Sequence, residues 1–281
     1  MPSNEKFIIR TMLSGDVNLA LYWAAKEGWN PGIHDGDCFY YTDPEGFFIG
    51  ELNSEPIGCI TAVAYNDSFG FIGLYIVKPE FRGKGYGIQL WKTALKHLGN
   101  RTIGLDGVID QQENYKKSGF QLAYRNIRYE GIGRGSISQH VVDLKDVSFE
   151  DLVAYDTTLF SVPRPKFLKR WINQPEGASL GFLKNSKLAG YGVIRACQIG
   201  FKIGPLFADE ETIAEDLFNS LAGKVTGETI FLDTPEANSA AIALTKKHDM
   251  AIVFETARMY TKKPYSLPLH RIFGVTSLEL G

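Results

Sequence analysis

The sequence predicts an α/β (α+β) fold arranged as two tandem units, and three observations carry that prediction. Strand-like and helix-like segments alternate from the start of the chain. A glycine-rich turn joins a buried strand to a long amphipathic helix. The second half then repeats the order of the first in worn form. A length of 281 residues is enough for two cores.

Phe7-Ile8-Ile9-Arg10 reads as a short first strand, and Ser14 precedes a helix whose Val17, Leu21 and Ala24 share one face until Gly28. Phe47 to Leu52 and Ile57 to Tyr65 form two strands around the turn Asn53-Ser54-Glu55-Pro56. Phe71 to Val77 is a buried strand. After the turn Arg82-Gly83-Lys84-Gly85-Tyr86-Gly87, the residues Ile88, Trp91, Leu95 and Leu98 recur at helical spacing until Gly99. Ile103 to Asp106 is the next strand, and Asn114 to Phe120 a short helix stopped by glycine. Ala123 to Tyr129 closes the first unit, and Gly131, Gly133 and Gly135 punctuate a linker, giving units at 1–132 and 137–281.

Composition narrows the function classes. The chain is 44% hydrophobic and 22% charged, the balance of a water-soluble globular protein. Its net charge of −2, with no basic block, argues against nucleic acid as a partner. No apolar run approaches the roughly 20 residues needed to cross a bilayer. Met1 to Lys6 lacks the apolar core of a signal peptide, so a cytoplasmic location is expected. Cys38, Cys59 and Cys197 are widely spaced, and His97, His140, His248 and His270 show no ligand spacing, so no metal is expected.

The turn at 82–87 carries the chemistry. Between a strand and a helix it leaves backbone N–H groups unpaired at the positive helix end, which suits a pyrophosphate, and Arg82 and Lys84 add charge beside it. Neither the P-loop pattern nor the final spacing of the dinucleotide fingerprint is present. Together with the preceding Val77-Lys78-Pro79-Glu80-Phe81, the turn resembles that of the GCN5-related N-acetyltransferase (GNAT) superfamily. Asn114-Tyr115-Lys116-Lys117-Ser118-Gly119-Phe120 is similar to that superfamily's Tyr-x-x-x-Gly-Phe element. The two motifs span residues 71 to 120 in the superfamily's order.

The resemblance implies a mixed central sheet flanked by helices in each unit, and acetyl-CoA as the acyl donor. Arg82, Gly83, Lys84, Gly85, Tyr86, Gly87 and Ile88 would grip its pyrophosphate, and backbone groups at Tyr75, Ile76 and Val77 would meet the thioester oxygen. Tyr115 would protonate the departing thiolate. The superfamily often has an asparagine seven residues before that tyrosine; here the position is Val108, and Asn114 is the neighbouring amide that remains for the pantetheine arm.

In the second half, Leu188 to Val193 echoes Pro56 to Thr61, Ile199 to Gly204 echoes Phe69 to Leu74, and Phe231-Leu232-Asp233 echoes Gly104-Leu105-Asp106. Asp209 is the expected N-cap of a helix bearing Ile213, Leu217 and Leu221, and Pro235 falls in the first turn of the next. Asn238 stands where the superfamily has its asparagine, but Thr245 replaces the tyrosine and no glycine turn precedes it. The expectation is one acetyl-CoA site, in the first unit. Arg271 to Leu280 is too apolar for a free tail and is expected to dock as an added strand.

The leading reading is an N-acetyltransferase for a small amine. Glu51 is the candidate base, with Asp35 and Asp37 as lesser choices. Trp29, Asn30 and Asp35 in the glycine-rich loop 28–37 are candidate acceptor contacts. A CoA-binding sensor without turnover and an acetyltransferase acting on protein amines are the alternatives, and the oligomeric state is left open.

Overall fold

The computed structural model describes residues 5–160, 162–263 and 266–281. Strands β1 (Phe7–Thr11), β2 (Phe47–Leu52), β3 (Glu55–Ala64), β4 (Phe69–Val77) and β5 (Thr102–Val108) follow one another as neighbours in the sheet. Helix α1 (Ser14–Lys26) and the short α2 (Asp35–Tyr40) cover one face, and α3 (Tyr86–Leu98) the other. The loop expected at 28–37 is thus partly helical. Gly36 lets α2 pack closely on Val17 and Leu21 of α1.

The alternation of β2 assigns its faces. Phe48 joins the core under α3 with Ile60, Leu90 and Trp91, whereas Phe47 and Ile49 join the core under α1 with Val17, Leu21 and Leu74. Both faces of the sheet are therefore buried, and β3 reads as a near-continuous apolar run for that reason.

Helix α4 (Gln112–Lys117) follows β5, and β6 (Gln121–Ile132) follows α4. The second half adds β7 (Val141–Asp143), α5 (Phe149–Phe160), α6 (Pro165–Trp171), β8 (Gly177–Lys184), β9 (Lys187–Ala196), β10 (Phe201–Ala208), α7 (Glu211–Ala222), β11 (Thr229–Pro235), α8 (Ser239–Lys247), β12 (Ala251–Tyr260) and β13 (Ile272–Gly274). All the described strands join one sheet in the order β1-β2-β3-β4-β5-β12-β6-β11-β10-β9-β8-β7, with β13 on β10.

That order corrects the expected closure of the first unit. Strand β6 does not return to β5. The neighbour of β5 is β12, with Thr256 opposite Val108 and Arg258 opposite Asp106, and β6 pairs with β12 and β11. Each half thus lends a strand to the other, and the pairing crosses the boundary expected at 132–137. Gly131 lies inside β6 rather than in a linker, and Gly133 donates to the Glu228 carbonyl at 2.8 Å.

Buried ion pairs seal the exchange. Arg258 grips Asp106 at 2.6 and 2.9 Å, and Arg128 on β6 grips Asp233 on β11 at 2.6 and 2.8 Å. All four side chains are buried. Removing one partner of such a pair costs about 3–5 kcal/mol because the other charge is left uncompensated.

Two smaller expectations also change. Helix α7 is capped at Glu210, while Asp209 is taken by Arg271 and the Tyr155 hydroxyl. Pro235 ends β11 opposite Asn126, and Asn238 caps α8 through the N–H groups of Ala240 and Ala241. The apolar tail docks as expected: β13 adds to β10, and residues 275–281 run on, buried, to β4. There the Tyr65 hydroxyl donates to the Leu280 carbonyl at 2.9 Å.

Candidate active site

Strands β4 and β5 pair only along Phe69–Ile72 and Thr102–Leu105, and then part. The register of β4 against β3 breaks at the same level, where Leu74 takes a left-handed φ of +43°. The parting opens a cavity of about 570 Å³, within the range of small-molecule sites. It is lined from both faces of the sheet: Tyr75, Val77, Trp91 and Tyr115 belong to the α3 side, and Trp29, Leu74, Ile76, Phe254 and Leu278 to the α1 side.

The glycine turn forms one wall. Gly85 is the N-cap of α3 at φ +87° and offers no side-chain acceptor, so the first N–H groups of the helix face the cavity mouth unpaired. A Cβ added at Gly83 or Gly85 would meet nothing within 4 Å, so the turn borders open space that a phosphate can fill. Arg82 lines the same wall, with its Nε donating to the Val77 carbonyl at 2.7 Å and a terminal nitrogen paired with Glu27. Ile88 and Gly87 also line the cavity. Lys84 instead lies over the Phe81 ring, and Tyr86 packs on Phe7 with its hydroxyl toward Glu5.

Tyr115 on α4 lines the cavity. Its ring packs on Trp91 at 5.5 Å, and Trp91 is anchored by Nε1 donating to Ser118 Oγ at 3.0 Å. Burial, reinforced by the neighbouring Tyr75, pushes the Tyr115 hydroxyl well above its ordinary value, so it stays protonated at neutral pH and is able to donate. Asp106 and Thr256 lie nearby on the paired strands β5 and β12.

Several expected residues lie elsewhere. Glu51 is bound by Arg10, which also holds Asp16, and it lines no part of the cavity, so the base role expected of it falls away. Asp35 is fully buried, accepts from the Gly32 N–H, and pairs with Arg195 of β9 at 2.8 Å. Asn30 is bonded through both side-chain atoms to Ile199, and its carbonyl accepts from Lys202 at 2.8 Å. These two residues tie the halves together instead of meeting an acceptor. Asn114 bonds Gln111 and Lys117 on the surface; Gln111 is the amide that reaches the cavity. Trp29 does line the cavity.

Sequence reasoning missed Glu27, Phe254, Thr256, Leu278 and Glu279, all of which line it. The last four come from the far half, and only the apolar character of the tail hinted that it docks. Among the described residues no group of His, Cys, Asp and Glu could hold a metal ion, all three cysteines are buried free thiols, and no helix is long and apolar enough to cross a membrane.

Comparison with known proteins adds independent findings. Residues 18–120 match a model described as Acetyltransferase (GNAT) family, and residues 152–274 one described as Acetyltransferase (GNAT) domain. The chain is 35% identical to a holothin acyltransferase of Pseudoalteromonas sp. over 92% of its own length and 89% of the relative's. An uncharacterized N-acetyltransferase of Bacillus subtilis is 23% identical over 89% of this chain and 86% of its own. Among solved structures, a candidate acetyltransferase from Pyrococcus horikoshii superposes with a TM-score of 0.84 at 23% identity, covering 98% of this chain and 96% of its own. A tandem GNAT protein from the clavulanic acid biosynthesis pathway superposes at 0.61 and 11% identity, covering 91% of this chain and 98% of its own.

Proposed function

The chain belongs to the GNAT family and is an acyltransferase, and from that premise we propose that it moves an acetyl group from acetyl-CoA to the amine of a small acceptor. The observation that carries this reading is a cavity that crosses the sheet, with the helix end and glycine turn on one side and Trp29 and Phe254 on the other. The pyrophosphate of acetyl-CoA would lie on the N–H groups that open α3, with Arg82 beside it. The acyl thioester would pass through the gap between β4 and β5.

The amine attacks the thioester carbonyl carbon, and the C–S bond then breaks. Backbone N–H groups of β4, which parts from β5 after Ile72, would meet the oxyanion. Tyr115 supplies a proton to the departing thiolate and recovers one from the new amide nitrogen. The second half supplies β12 and the tail as the walls of the acceptor side. A cavity of this size, walled by residues of both halves, suits a small molecule better than a protein chain, and the Pseudoalteromonas relative is named for acyl transfer to holothin.

Isothermal titration with acetyl-CoA tests the donor, followed by thiol release with a panel of amines that includes holothin. Saturation at one equivalent and amine-dependent release are expected. A folded protein that binds no acetyl-CoA overturns the reading, and binding without release from any amine leaves a CoA sensor in its place.

A further inference from the structure

Three carboxylates line the cavity, and two of them are held. Glu27 is paired with Arg82, and Asp106 is gripped by Arg258 and accepts from Asn126 at 2.8 Å. Glu279 differs. It is only 5% exposed, yet among the described residues its carboxylate makes no hydrogen bond and no ion pair. Nor is it one of the side chains whose polar atoms are both sealed and unpartnered, so its oxygens look into open space, and the open space beside Glu279 is the cavity.

The neighbours of Glu279 explain its charge without consuming it. Arg128 of β6, Arg195 of β9 and Lys202 of β10 all feel its field. Arg128 is bonded to Asp233 and the Trp29 carbonyl, Arg195 to Asp35 with its Nη1 left without a partner, and Lys202 to the Asn30 carbonyl. The cations thus lie within reach of the field of Glu279 in a buried place without hydrogen-bonding it. A buried carboxylate with no direct partner is costly unless something else binds it. The backbone is placed with equal care. A Cβ on Gly73 would stand 1.9 Å from the Glu279 carbonyl oxygen, so the tail passes against β4 at the point where β4 leaves β5.

We propose that Glu279 receives the ammonium group of the acceptor in the cavity and takes its proton before acyl transfer. The inference rests on the acetyl-CoA reading above. In the step, the acceptor R–NH3+ gives one proton to the Glu279 carboxylate and becomes R–NH2. The freed lone pair forms the C–N bond, the C–S bond breaks, and the thiolate leaves as CoA thiol with the proton from Tyr115. Tyr115 recovers its proton from the amide nitrogen, and Glu279 releases its own to water. The tail thereby supplies the carboxylate that Glu51, bound to Arg10, does not.

The test compares two nucleophiles of different protonation state on wild type, Glu279→Gln and Glu279→Asp. Benzylamine is an ammonium at neutral pH and needs a proton acceptor; hydroxylamine has a largely unprotonated nitrogen and needs none. Thiol release from acetyl-CoA is followed for each, with acetyl-CoA affinity measured separately by titration. Glu279→Gln is expected to lower kcat/KM for benzylamine roughly a hundredfold, the usual weight of a positioned base, while hydroxylamine turnover and acetyl-CoA affinity stay at the wild-type level. Glu279→Asp, which keeps the charge, should recover part of the benzylamine rate, and it gives the same comparison if Glu279→Gln does not fold. Equal losses for both nucleophiles would make Glu279 a counter-ion of the neighbouring cations and overturn the inference. So would an undiminished benzylamine rate, or a wild type that binds acetyl-CoA but acylates neither probe. Wild type that binds no acetyl-CoA would overturn the donor reading instead.

Discussion

The two halves of the sheet part in the same way and are filled differently. Strand β4 leaves β5 after Ile72, and β10 leaves β11 after Ile203; each breaks register with its other neighbour at that level. In the second half the gap holds β13, which pairs with Leu206 and Phe207 of β10. On the other side, the Thr234 hydroxyl of β11 donates to the Phe273 carbonyl, and the Val275 N–H donates to the Asp233 carbonyl of β11 at 2.8 Å. In the first half no strand enters, and the gap remains a cavity. The helix that follows differs to match: α3 opens on Gly85 with unpaired N–H groups, whereas α7 starts two residues after β10 and the nearby Asp209 is spent on Arg271 and Tyr155. A parted sheet is thus a slot, and whether it takes a ligand or a strand depends on a few residues at its mouth.

The comparison breaks most sharply at the turn. Gly85→Trp forces a side chain into the open space and fills the first slot, as β13 fills the second. Acetyl-CoA binding should weaken about a thousandfold or more, about 4 kcal/mol by titration. The left-handed position adds only about 1–2 kcal/mol of strain to the fold, so a retained thermal transition distinguishes lost binding from lost structure.

Next come the seam pairs, which occupy matching places: Asp106 with Arg258 and Asp233 with Arg128. Burial raises Asp106, and its one arginine does not reverse that. Burial would raise Asp233 too, but Arg128, Lys202 and Arg195 together hold it below its ordinary value. Asp233→Asn should therefore cost about 3 kcal/mol or more in urea denaturation at pH 7, and Asp106→Asn clearly less.

Tyr115→Phe sharpens the contrast with Thr245, its counterpart in the second half. It should lower kcat about a hundredfold at unchanged acetyl-CoA affinity, read by thiol release and titration. Equal losses in both would make the tyrosine a packing residue of the Trp91 cluster. The smallest effect is in acid. A carboxyl depressed in the fold contributes stability above its ordinary value of 3.8, lost as pH falls through the folded value, whereas a raised one contributes in the opposite sense. Below about pH 4 the fall in stability should flatten in Asp233→Asn and persist in Asp106→Asn, a difference under about 1.4 kcal/mol per pH unit.

What was legible in the sequence was local. The spacing of Gly83, Gly85 and Gly87 between an apolar run and an amphipathic one specifies a strand, an open turn and a helix without reference to any other part of the chain. Tyr115 stood out through the resemblance of its segment to the superfamily's Tyr-x-x-x-Gly-Phe element, and Trp29 as an aromatic in a turn-rich loop. The failures share a cause. Asp35, Asn30 and Glu51 have the chemistry of site residues, but Arg195, Ile199 and Arg10 consume it, and none of those partnerships is written in local spacing. Alternation likewise identifies β6 and β12 as strands and says nothing of whom they pair with. Phe254 and Thr256 reach the cavity only because of that pairing, and Glu279 because the tail runs back against β4.

The exchanged strands also set a timetable. Thr256 lies opposite Val108, yet about 150 residues of chain separate them. At a synthesis rate of about 5–20 residues per second, β5 leaves the ribosome on the order of ten seconds before its partner exists. Through that interval the growing chain carries an unpaired sheet edge at Gly104–Val108, beside the slot proposed for the acyl donor. Neither half is able to finish first. The order of translation makes this cavity one of the last things the molecule completes.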